Sequence, residues 1–298
     1  MLIFKKLDLK DIELIKSYFS LSKTRTCDNT VGGTFIWRDF FCMEYAPYKD
    51  NFIFKGKFLD NSTVFAMPLG KNTDDITDSL KQIEFYCIEN SIPMTICLAT
   101  EEDIEIIKII YKNINVFPET EWSDYVYNAS DLAELAGRKY SGQRNHINYF
   151  KRTFLDYEVK QINFENIEDV RKFFIKYNDA HSKSSLALIE ETKKVFEIFD
   201  NYGIYGQTGI ALYVDGVVIG FAIGEAITDT LFVHIEKADS EYRGAYQMIV
   251  NEFSKQNANG NIIYINREDD AGDEHLRISK MSYHPCEIIK KYTVIINI

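Results

Sequence analysis

The segment Ile210-Ala211-Leu212-Tyr213-Val214-Asp215-Gly216-Val217-Val218-Ile219-Gly220-Phe221-Ala222-Ile223 contains two apolar runs separated by an Asp-Gly pair. This pair supplies the positive φ angles that a tight two-residue turn requires, so the segment predicts an antiparallel hairpin. Neither run approaches the ~18 residues of a membrane-spanning helix. The hairpin therefore predicts a water-soluble sheet in the second half of the chain.

Strands and helices flank this hairpin in an order that is not a simple alternation: a strand, two helices, the antiparallel strands, a helix and a strand. The spacing of apolar residues predicts strands at 158–164, 230–236 and 261–265, and helices at 167–179, 190–202 and 242–256. The first half has the same order, with strands at 2–7, 41–45, 51–55, 62–67 and 94–98, and helices at 8–19, 74–90 and 101–113. We therefore predict an α/β (α+β) protein of two domains, residues 1–135 and 136–298, each with a mixed central sheet flanked by helices.

The composition agrees with a folded, acidic protein. The chain has 298 residues, 46% of them hydrophobic, and a formal net charge of -11, which opposes nonspecific attraction to nucleic acid. The N-terminus lacks the order of a signal peptide, so we expect a cytoplasmic protein. The five cysteines are irregularly spaced, which argues against a disulfide framework or a zinc knuckle.

Polar residues concentrate directly after the predicted strand at 261–265. Ligand sites in open sheets collect where strands end, so we interpret residues 266–285 as the edge of a site. Tyr283 is a candidate general acid, and Asp269 and Asp270 cap the next helix or contact substrate. Arg277 and Lys280 are three residues apart, a spacing that suits an anion or a surface pair on an ordinary capped helix.

Two further segments carry candidate residues. His234 and Glu236 alternate along one face of a strand, where they form either an acid–base pair or a solvated polar pair. The helix at 143–154 belongs to a stretch, 137–154, with five Lys/Arg and no carboxylate. It is either an anion contact, with Arg144 as the best bidentate donor, or an amphipathic connecting helix with solvated charges.

Several common catalytic signatures are absent from the sequence. It has no Gly-x-Ser-x-Gly elbow, no Walker A loop, no Gly-x-Gly-x-x-Gly after a strand and no His-Glu-x-x-His. The spacing of His275, His284 and Cys286 fits no zinc pattern, so we predict no metal site.

Four motifs resemble a bacterial family related to the C-terminal, cytosolic domain of lysylphosphatidylglycerol synthetases. They lie at 34–38 (Thr-Phe-Ile-Trp-Arg), 144–150 (Arg-Asn-His-Ile-Asn-x-Phe), 265–272 (Ile-Asn-Arg-Glu-Asp-Asp-x-Gly) and 276–285 (Leu-Arg-x-x-Lys-x-Ser-Tyr-x-Pro). The resemblance implies two tandem domains of the GNAT acetyltransferase type. It also implies transfer of an aminoacyl group from a charged tRNA to a phospholipid headgroup. Because the sequence shows no membrane-spanning run, the lipid acceptor and any peripheral lipid contact stay open.

The resemblance also bears on which acyl donor the protein uses. GNAT enzymes that use acyl-CoA bind pyrophosphate through Arg/Gln-x-x-Gly-x-Gly/Ala at the helix after the fourth strand. At that place this sequence reads Glu241-Tyr242-Arg243-Gly244-Ala245-Tyr246, which keeps one glycine and displaces the arginine. The prediction that the protein uses acyl-CoA is therefore weakened, and aminoacyl-tRNA is the alternative donor.

We combine these observations into two hypotheses. The first is an acyl- or aminoacyl-transferase that uses aminoacyl-tRNA or acyl-CoA, has no tightly bound cofactor, and acts on an amine or hydroxyl of a small-molecule acceptor. Its predicted catalytic residues are Glu236, Asp269 and Tyr283. Its predicted donor- and phosphate-binding residues are Arg144, Asn145, Arg243, Gly244, Asn266, Arg267, Arg277 and Lys280. The second hypothesis is a non-catalytic GNAT-like module that binds a nucleotide or an anionic metabolite.

Overall fold

The structure is a computed structural model that describes residues 2–22, 24–180 and 185–298. The chain divides into two compact units. Unit 1 comprises Met1–Asp124, Asp269–Glu274 and Ile288–Ile298, and unit 2 comprises Tyr125–Glu268 and His275–Glu287.

The chain contains both strands and α-helices, in an order that is not a simple alternation. The strands are β1 (Lys5–Lys6), β2 (Glu44–Tyr48), β3 (Asn51–Lys57), β4 (Thr63–Phe65), β5 (Met94–Ala99), β6 (Ile114–Pro118), β7 (Asp124–Asn128), β8 (Tyr157–Gln161), β9 (Thr208–Val214), β10 (Val217–Ile227), β11 (Thr230–Ala238), β12 (Tyr264–Asn266), β13 (Glu287–Ile289) and β14 (Tyr292–Ile296). The helices are α1 (Ile12–Phe19), α2 (Val31–Trp37), α3 (Thr73–Asn90), α4 (Glu101–Ile110), α5 (Ala129–Glu134), α6 (Ser141–Thr153), α7 (Ile167–Ala180), α8 (Leu186–Asp200), α9 (Tyr202–Tyr205), α10 (Ala245–Asn257) and α11 (Glu274–Met281).

The sheet of unit 1 contains strands from both ends of the chain. Its order is β1-β2-β3-β4-β5-β14-β6, and β14 lies antiparallel between β5 and β6. Our predicted ranges, 1–135 and 136–298, assign the last strand to the second domain, whereas the compact units place it in the first. The reason is long-range pairing, since the backbone of β14 finds its hydrogen-bond partners near residues 95 and 116.

The sheet of unit 2 is built on the predicted hairpin. Asp215 (φ 49°) and Gly216 (φ 75°) form the turn, and Val214 pairs with Val217, so the hairpin prediction is confirmed. The strands follow the order β7-β12-β11-β10-β9-β8, and β11 is antiparallel to β10 but parallel to β12. This mixed sheet encloses a core with α6 and α10, which contribute Ile147, Phe150 and Met248.

A buried ion cluster lies in unit 1. The ammonium of Lys291, 1% exposed, lies 2.6 Å from Asp28 Oδ2 and 2.8 Å from Asp124 Oδ1. The second oxygen of Asp124 accepts the backbone N–H of Cys27 at 2.7 Å. Burial alone lowers the pKa of Lys291, but the carboxylates of Asp124 and Asp28 outweigh burial and raise this pKa well above its ordinary value. The ammonium is therefore charged and holds three separate segments of unit 1 together.

We expect Lys291→Ala to lower the free energy of unfolding by about 3–5 kcal/mol, because it leaves the buried carboxylate of Asp124 without its cation. Urea unfolding measures this effect. Lys290→Ala is the matched control, since Lys290 is exposed and lies 3.6 Å from the exposed Glu101, a pair worth about 0–1 kcal/mol. Equal losses in the two variants would contradict the structural role of Lys291.

Candidate functional site

Two neighbouring strands of unit 2 separate at the centre of the candidate site. Strand β11 pairs with β12 only through Thr230–Phe232 and Tyr264–Asn266, and then continues to Ala238 beside β10. Directly after Asn266 the chain leaves the sheet as Arg267 and Glu268. The side chains of β11 beyond Phe232 therefore meet those that follow β12, and this set is named the strand-end cluster: Glu225, His234, Glu236, Arg267, Glu268, Lys280 and Tyr283.

The best-defined pair of the strand-end cluster is Glu236 and Arg267. The guanidinium donates from Nε to Glu236 Oε2 and from Nη2 to Glu236 Oε1, both at 3.1 Å. The rings of Tyr283 and Tyr127 lie 4.9 and 5.9 Å from the guanidinium carbon. Burial lowers the pKa of Arg267, but the carboxylate of Glu236 and the neighbouring phenols reverse the effect and raise it. Arg267 is therefore a fixed cation that is held along one edge of its guanidinium.

A second charge network surrounds His234. Its Nε2 lies 2.8 Å from Glu225 Oε1, and its Nδ1 lies 2.6 Å from Glu268 Oε1. Burial lowers the pKa of His234, but the carboxylates of Glu268 and Glu225 more than offset it and raise the pKa to about 10. The imidazole is thus a cation at neutral pH that donates one N–H to each carboxylate. A cation between two carboxylates leaves this network with one net negative charge.

Glu268 is held in an unusual backbone conformation. Its φ is 60°, and its N–H donates to Asn266 Oδ1 at 2.6 Å. A non-glycine residue in the left-handed region is uncommon and is typical of turns and functional sites. Because its side chain is 20% exposed whereas that of His234 is fully buried, Glu268 is the outer end of the network.

Lys280 and Tyr283 are both buried. The ammonium of Lys280 donates to the carbonyl of Arg267 at 2.5 Å, and burial raises the pKa of Tyr283 to about 12. A buried ammonium on a backbone carbonyl stabilises the turn after β12, and it is not an exposed phosphate contact. Arg277 is half-buried on α11. The roles predicted for Tyr283 as an acid and for Arg277 as an anion contact stay predictions.

The basic helix α6 forms one wall of a polar pocket of about 560 Å³ in unit 2. The guanidinium of Arg243 stacks 4.7 Å above the ring of Tyr149, and among the described residues no carboxylate lines the pocket. We name it the α6 pocket, and its lining residues are Asn145, Asn148, Tyr149, Lys151, Arg152 and Arg243. Its three cations and two amides are suited to a phosphate group.

Two predicted phosphate contacts have other partners. Nη1 of Arg144 donates to the carbonyls of Leu135 and Gly137, so this guanidinium joins the end of α5 to α6. Gly244 is buried against α6, where a Cβ atom would lie 2.4 Å from the carbonyl oxygen of His146. These contacts do not support the prediction that Arg144 is the best anion donor or that Gly244 approaches a phosphate.

Asp269 belongs to unit 1, whereas Glu236 and Tyr283 belong to unit 2. One ligand atom each of Asp269, Asp124 and Cys27 lies within 4.8 Å of the others, a donor set that metal ions accept. The ammonium of Lys291 already lies beside two of them, 2.8 Å from Asp124 Oδ1 and 3.5 Å from Cys27 Sγ. This cation occupies the position that a metal ion would need.

The sequence assigned no individual role to Glu225, Glu268 or Tyr149, although Glu268 lies in the stretch 266–285 that we interpret as the edge of a site. The register of the β10–β11 hairpin contains a signal for Glu225, which pairs with Phe232 and is thus the diagonal neighbour of His234. Glu268 gave no such signal, because it reaches His234 only through the turn that the Asn266 side chain stabilises. Tyr149 lies on α6 beside residues that we singled out, but its partner Arg243 is remote in sequence.

A family model for the C-terminal part of phosphatidylglycerol lysyltransferase matches residues 19–295. The chain belongs to this family. The resemblance predicted from the four motifs is thereby confirmed.

Solved structures agree with the family assignment. A conserved protein of unknown function from Bacteroides thetaiotaomicron VPI-5482 is 29% identical, with a TM-score of 0.90 over 100% of both chains. The C-terminal domain of a putative lysylphosphatidylglycerol synthetase from Agrobacterium fabrum is 12% identical, with a TM-score of 0.70 over 97% of this chain and 92% of that one. FemX is 6% identical, with a TM-score of 0.61 over 99% and 97%.

These comparisons confirm the predicted fold, which has two mixed sheets flanked by helices in a tandem GNAT-like arrangement. The family has an acyl- or aminoacyltransferase type of fold. Among the described residues, no helix combines the length and the apolarity that crossing a bilayer demands.

We expect Gly244→Ala to destabilise the protein by about 1–3 kcal/mol, because φ is 95° and the new Cβ would overlap a carbonyl of α6. Gly142→Ala in α6 is the matched control. It meets no atom within 4 Å and should change stability by at most ~1 kcal/mol, in the stabilising direction. Thermal unfolding measures both changes, and an unchanged melting temperature for Gly244→Ala would contradict this packing.

His234 makes stability depend on pH. Because its pKa is raised from 6.5 to about 10, the folded state binds one more proton than the unfolded state in this window. Its stabilising contribution is therefore complete below pH 6.5 and is lost as the pH rises through about 10. His234→Gln should remove this part of the pH dependence and cost roughly 1–3 kcal/mol at pH 7.

Urea unfolding at a series of pH values tests this prediction. The wild type should lose more stability than His234→Gln between pH 7 and 10, and the exposed His284→Gln control should follow the wild type. Parallel curves for all three proteins would show that His234 does not carry the proton.

Proposed function

We propose that this protein is an aminoacyltransferase that takes its aminoacyl group from a charged tRNA and transfers it to an amine or hydroxyl of a small acceptor. The observation that carries the choice of donor is the contact between Gly244 and α6. The family name supports the transfer reaction, since it describes lysyl transfer to phosphatidylglycerol.

The contact at Gly244 argues against acyl-CoA. A coenzyme A pyrophosphate in a GNAT enzyme needs the free backbone N–H groups at the N-terminus of the helix after the fourth strand. Here that helix is α10, and Gly244 and Ala245 at its start are buried, with the carbonyl oxygen of His146 only 2.4 Å from where a Cβ of Gly244 would lie. Helix α6 thus takes the space that a pyrophosphate would need.

The α6 pocket offers a phosphate site of another kind. Its cations come from side chains, and Tyr149 presents an aromatic face that Arg243 already covers. Phosphate contacts by Lys and Arg side chains that line a groove are a usual means of holding the backbone of a single-stranded nucleic acid end. This combination favours the acceptor end of a tRNA over a free nucleotide bound at a helix terminus.

The strand-end cluster supports the chemical step. Transfer requires a nucleophile that loses a proton and attacks the ester carbon. Glu268 is a partly exposed carboxylate that is oriented by the imidazolium of His234. The residue before it in the chain, Arg267, is a fixed cation. We assign deprotonation of the acceptor to Glu268 in preference to Glu236, because Glu236 is engaged by Arg267 through both oxygens.

The donor assignment is tested by binding of charged tRNAs at several salt concentrations. Arg152→Ala/Arg243→Ala should weaken binding about 10-fold or more and make the slope of log K against log salt shallower by about 1–2, because two phosphate contacts are lost. Lys172→Ala/Lys193→Ala removes the same charge from exposed ion pairs and should leave the slope unchanged.

Turnover is measured as transfer to hydroxylamine, a small nucleophile that reports aminoacyl release as a hydroxamate. Saturable binding of charged tRNA without turnover would favour the non-catalytic module. Binding of acyl-CoA in place of tRNA would contradict the donor assignment.

A further inference from the structure

One edge of the Arg267 guanidinium lacks a partner. Nε and Nη2 are held by Glu236, whereas Nη1 has no hydrogen-bond acceptor among the described residues and is buried. A buried N–H donor that stays unsatisfied costs about 1–3 kcal/mol, more for a charged group, so such groups in native proteins need an explanation. The arginine side chain is only 8% exposed, so most of it is shielded from bulk solvent.

The surroundings of Nη1 fix its direction. Glu236 accepts from two nitrogens of the guanidinium, and the rings of Tyr127 and Tyr283 restrict its movement. The backbone of Arg267 is fixed as well, since its N–H donates to the carbonyl of Tyr125 at 3.0 Å and its carbonyl accepts from Lys280. A charged donor that is held at both ends is preorganised, and it pays no reorganisation cost when a negative charge develops beside it.

The location of this donor suits the reacting carbonyl. It lies in the strand-end cluster, where Glu236 and Glu268 keep 16% and 20% exposure and thus reach the surface. The cluster holds one carboxylate for the acceptor's proton, Glu268, and one donor without an acceptor, Arg267 Nη1. Acyl transfer needs a group of each kind, a base for the nucleophile and a donor for the carbonyl oxygen.

We propose that Arg267 Nη1 binds the carbonyl oxygen of the transferred acyl group and stabilises the oxyanion of the tetrahedral intermediate. The proposal rests on the proposed aminoacyl transfer, and it gives Arg267 a catalytic role in place of phosphate binding. Glu236 is then a positioning residue, because it acts only by fixing the guanidinium.

The proposed transfer forms one bond and breaks one bond. The acceptor's nitrogen or oxygen forms a bond to the ester carbon, and its proton passes to Glu268. The electron pair of the C=O bond moves to oxygen, which Nη1 holds without transferring a proton. Collapse restores the carbonyl and breaks the bond to the tRNA's ribose oxygen, which leaves with the proton from Glu268.

The test compares single-turnover transfer and tRNA binding in the full chain. With an aminoacyl-tRNA that the wild type uses and hydroxylamine as acceptor, Arg267→Lys should lower the transfer rate constant about 100-fold while the Kd for tRNA changes less than twofold. Glu236→Gln, which keeps one acceptor for the guanidinium, should lower the rate about 10-fold with the same Kd. Circular dichroism melting checks that each variant is folded.

Arg171→Lys is the matched control. Arg171, on α7, also pairs with carboxylates, Glu168 and Asp200, and lies over two phenylalanine rings of α8, so its replacement should leave both quantities unchanged. A wild-type rate in folded Arg267→Lys or Glu236→Gln would overturn this inference and leave the transferase proposal standing. A raised Kd for tRNA with an unchanged transfer rate constant would indicate that Arg267 binds phosphate instead. Absence of turnover in the wild type with every charged tRNA would contradict both proposals.

Discussion

The bidentate pairing of Glu236 with Arg267 is the interaction on which the candidate site depends. It joins β11 to the residue that follows β12, at the level where these strands no longer share backbone hydrogen bonds. A sheet that opens in this way exposes backbone and polar groups, and a buried charge pair offsets that loss only when its geometry is good and its other hydrogen bonds are met. The aromatic rings of Tyr127 and Tyr283 pack on the guanidinium and the ammonium of Lys280 holds the Arg267 backbone carbonyl, whereas Nη1 has no acceptor among the described residues.

In both units a buried cation lies between two carboxylates. In unit 1 the ammonium of Lys291 lies between the carboxylates of Asp28 and Asp124, and in unit 2 the imidazolium of His234 lies between Glu225 and Glu268. Each cluster places one cation between two acids. In unit 1 the cation binds segments that are far apart in sequence, whereas in unit 2 it orients a carboxylate that reaches the surface. The same electrostatic arrangement thus fits a structural role in one place and a chemical role in the other.

Helix α6 connects the fold to the choice of donor. Its apolar face, with Ile147 and Phe150, packs into the core of unit 2, and its backbone covers the start of α10. Its polar face, with Lys151 and Arg152, lines the α6 pocket. Packing one face of this helix on the core therefore covers the start of α10 and leaves the polar face to line the α6 pocket.

The sequence by itself determined the local elements and the class of fold. The Asp215-Gly216 turn, the apolar spacing of α3 and α7 and the polar run after Asn266 predicted the hairpin, the helices and the end of a strand near the candidate site. The family motifs added the tandem arrangement, which the comparisons confirm. These features follow from neighbours in sequence, because a turn or an amphipathic helix is specified by residues within a few positions of one another.

Only the tertiary structure decided which polar residues meet. The sequence predicted Arg144 and Lys280 as anion contacts, yet in the folded chain both side chains donate hydrogen bonds to backbone carbonyls. The return of β14 to the first sheet, the burial of Gly244 against α6 and the contact of His234 with Glu268 all depend on residues far apart in sequence. A residue type specifies what a side chain is able to bind, but burial and long-range pairing decide which partner lies within reach. A single sequence does not directly record the distances between residues that are far apart in the chain.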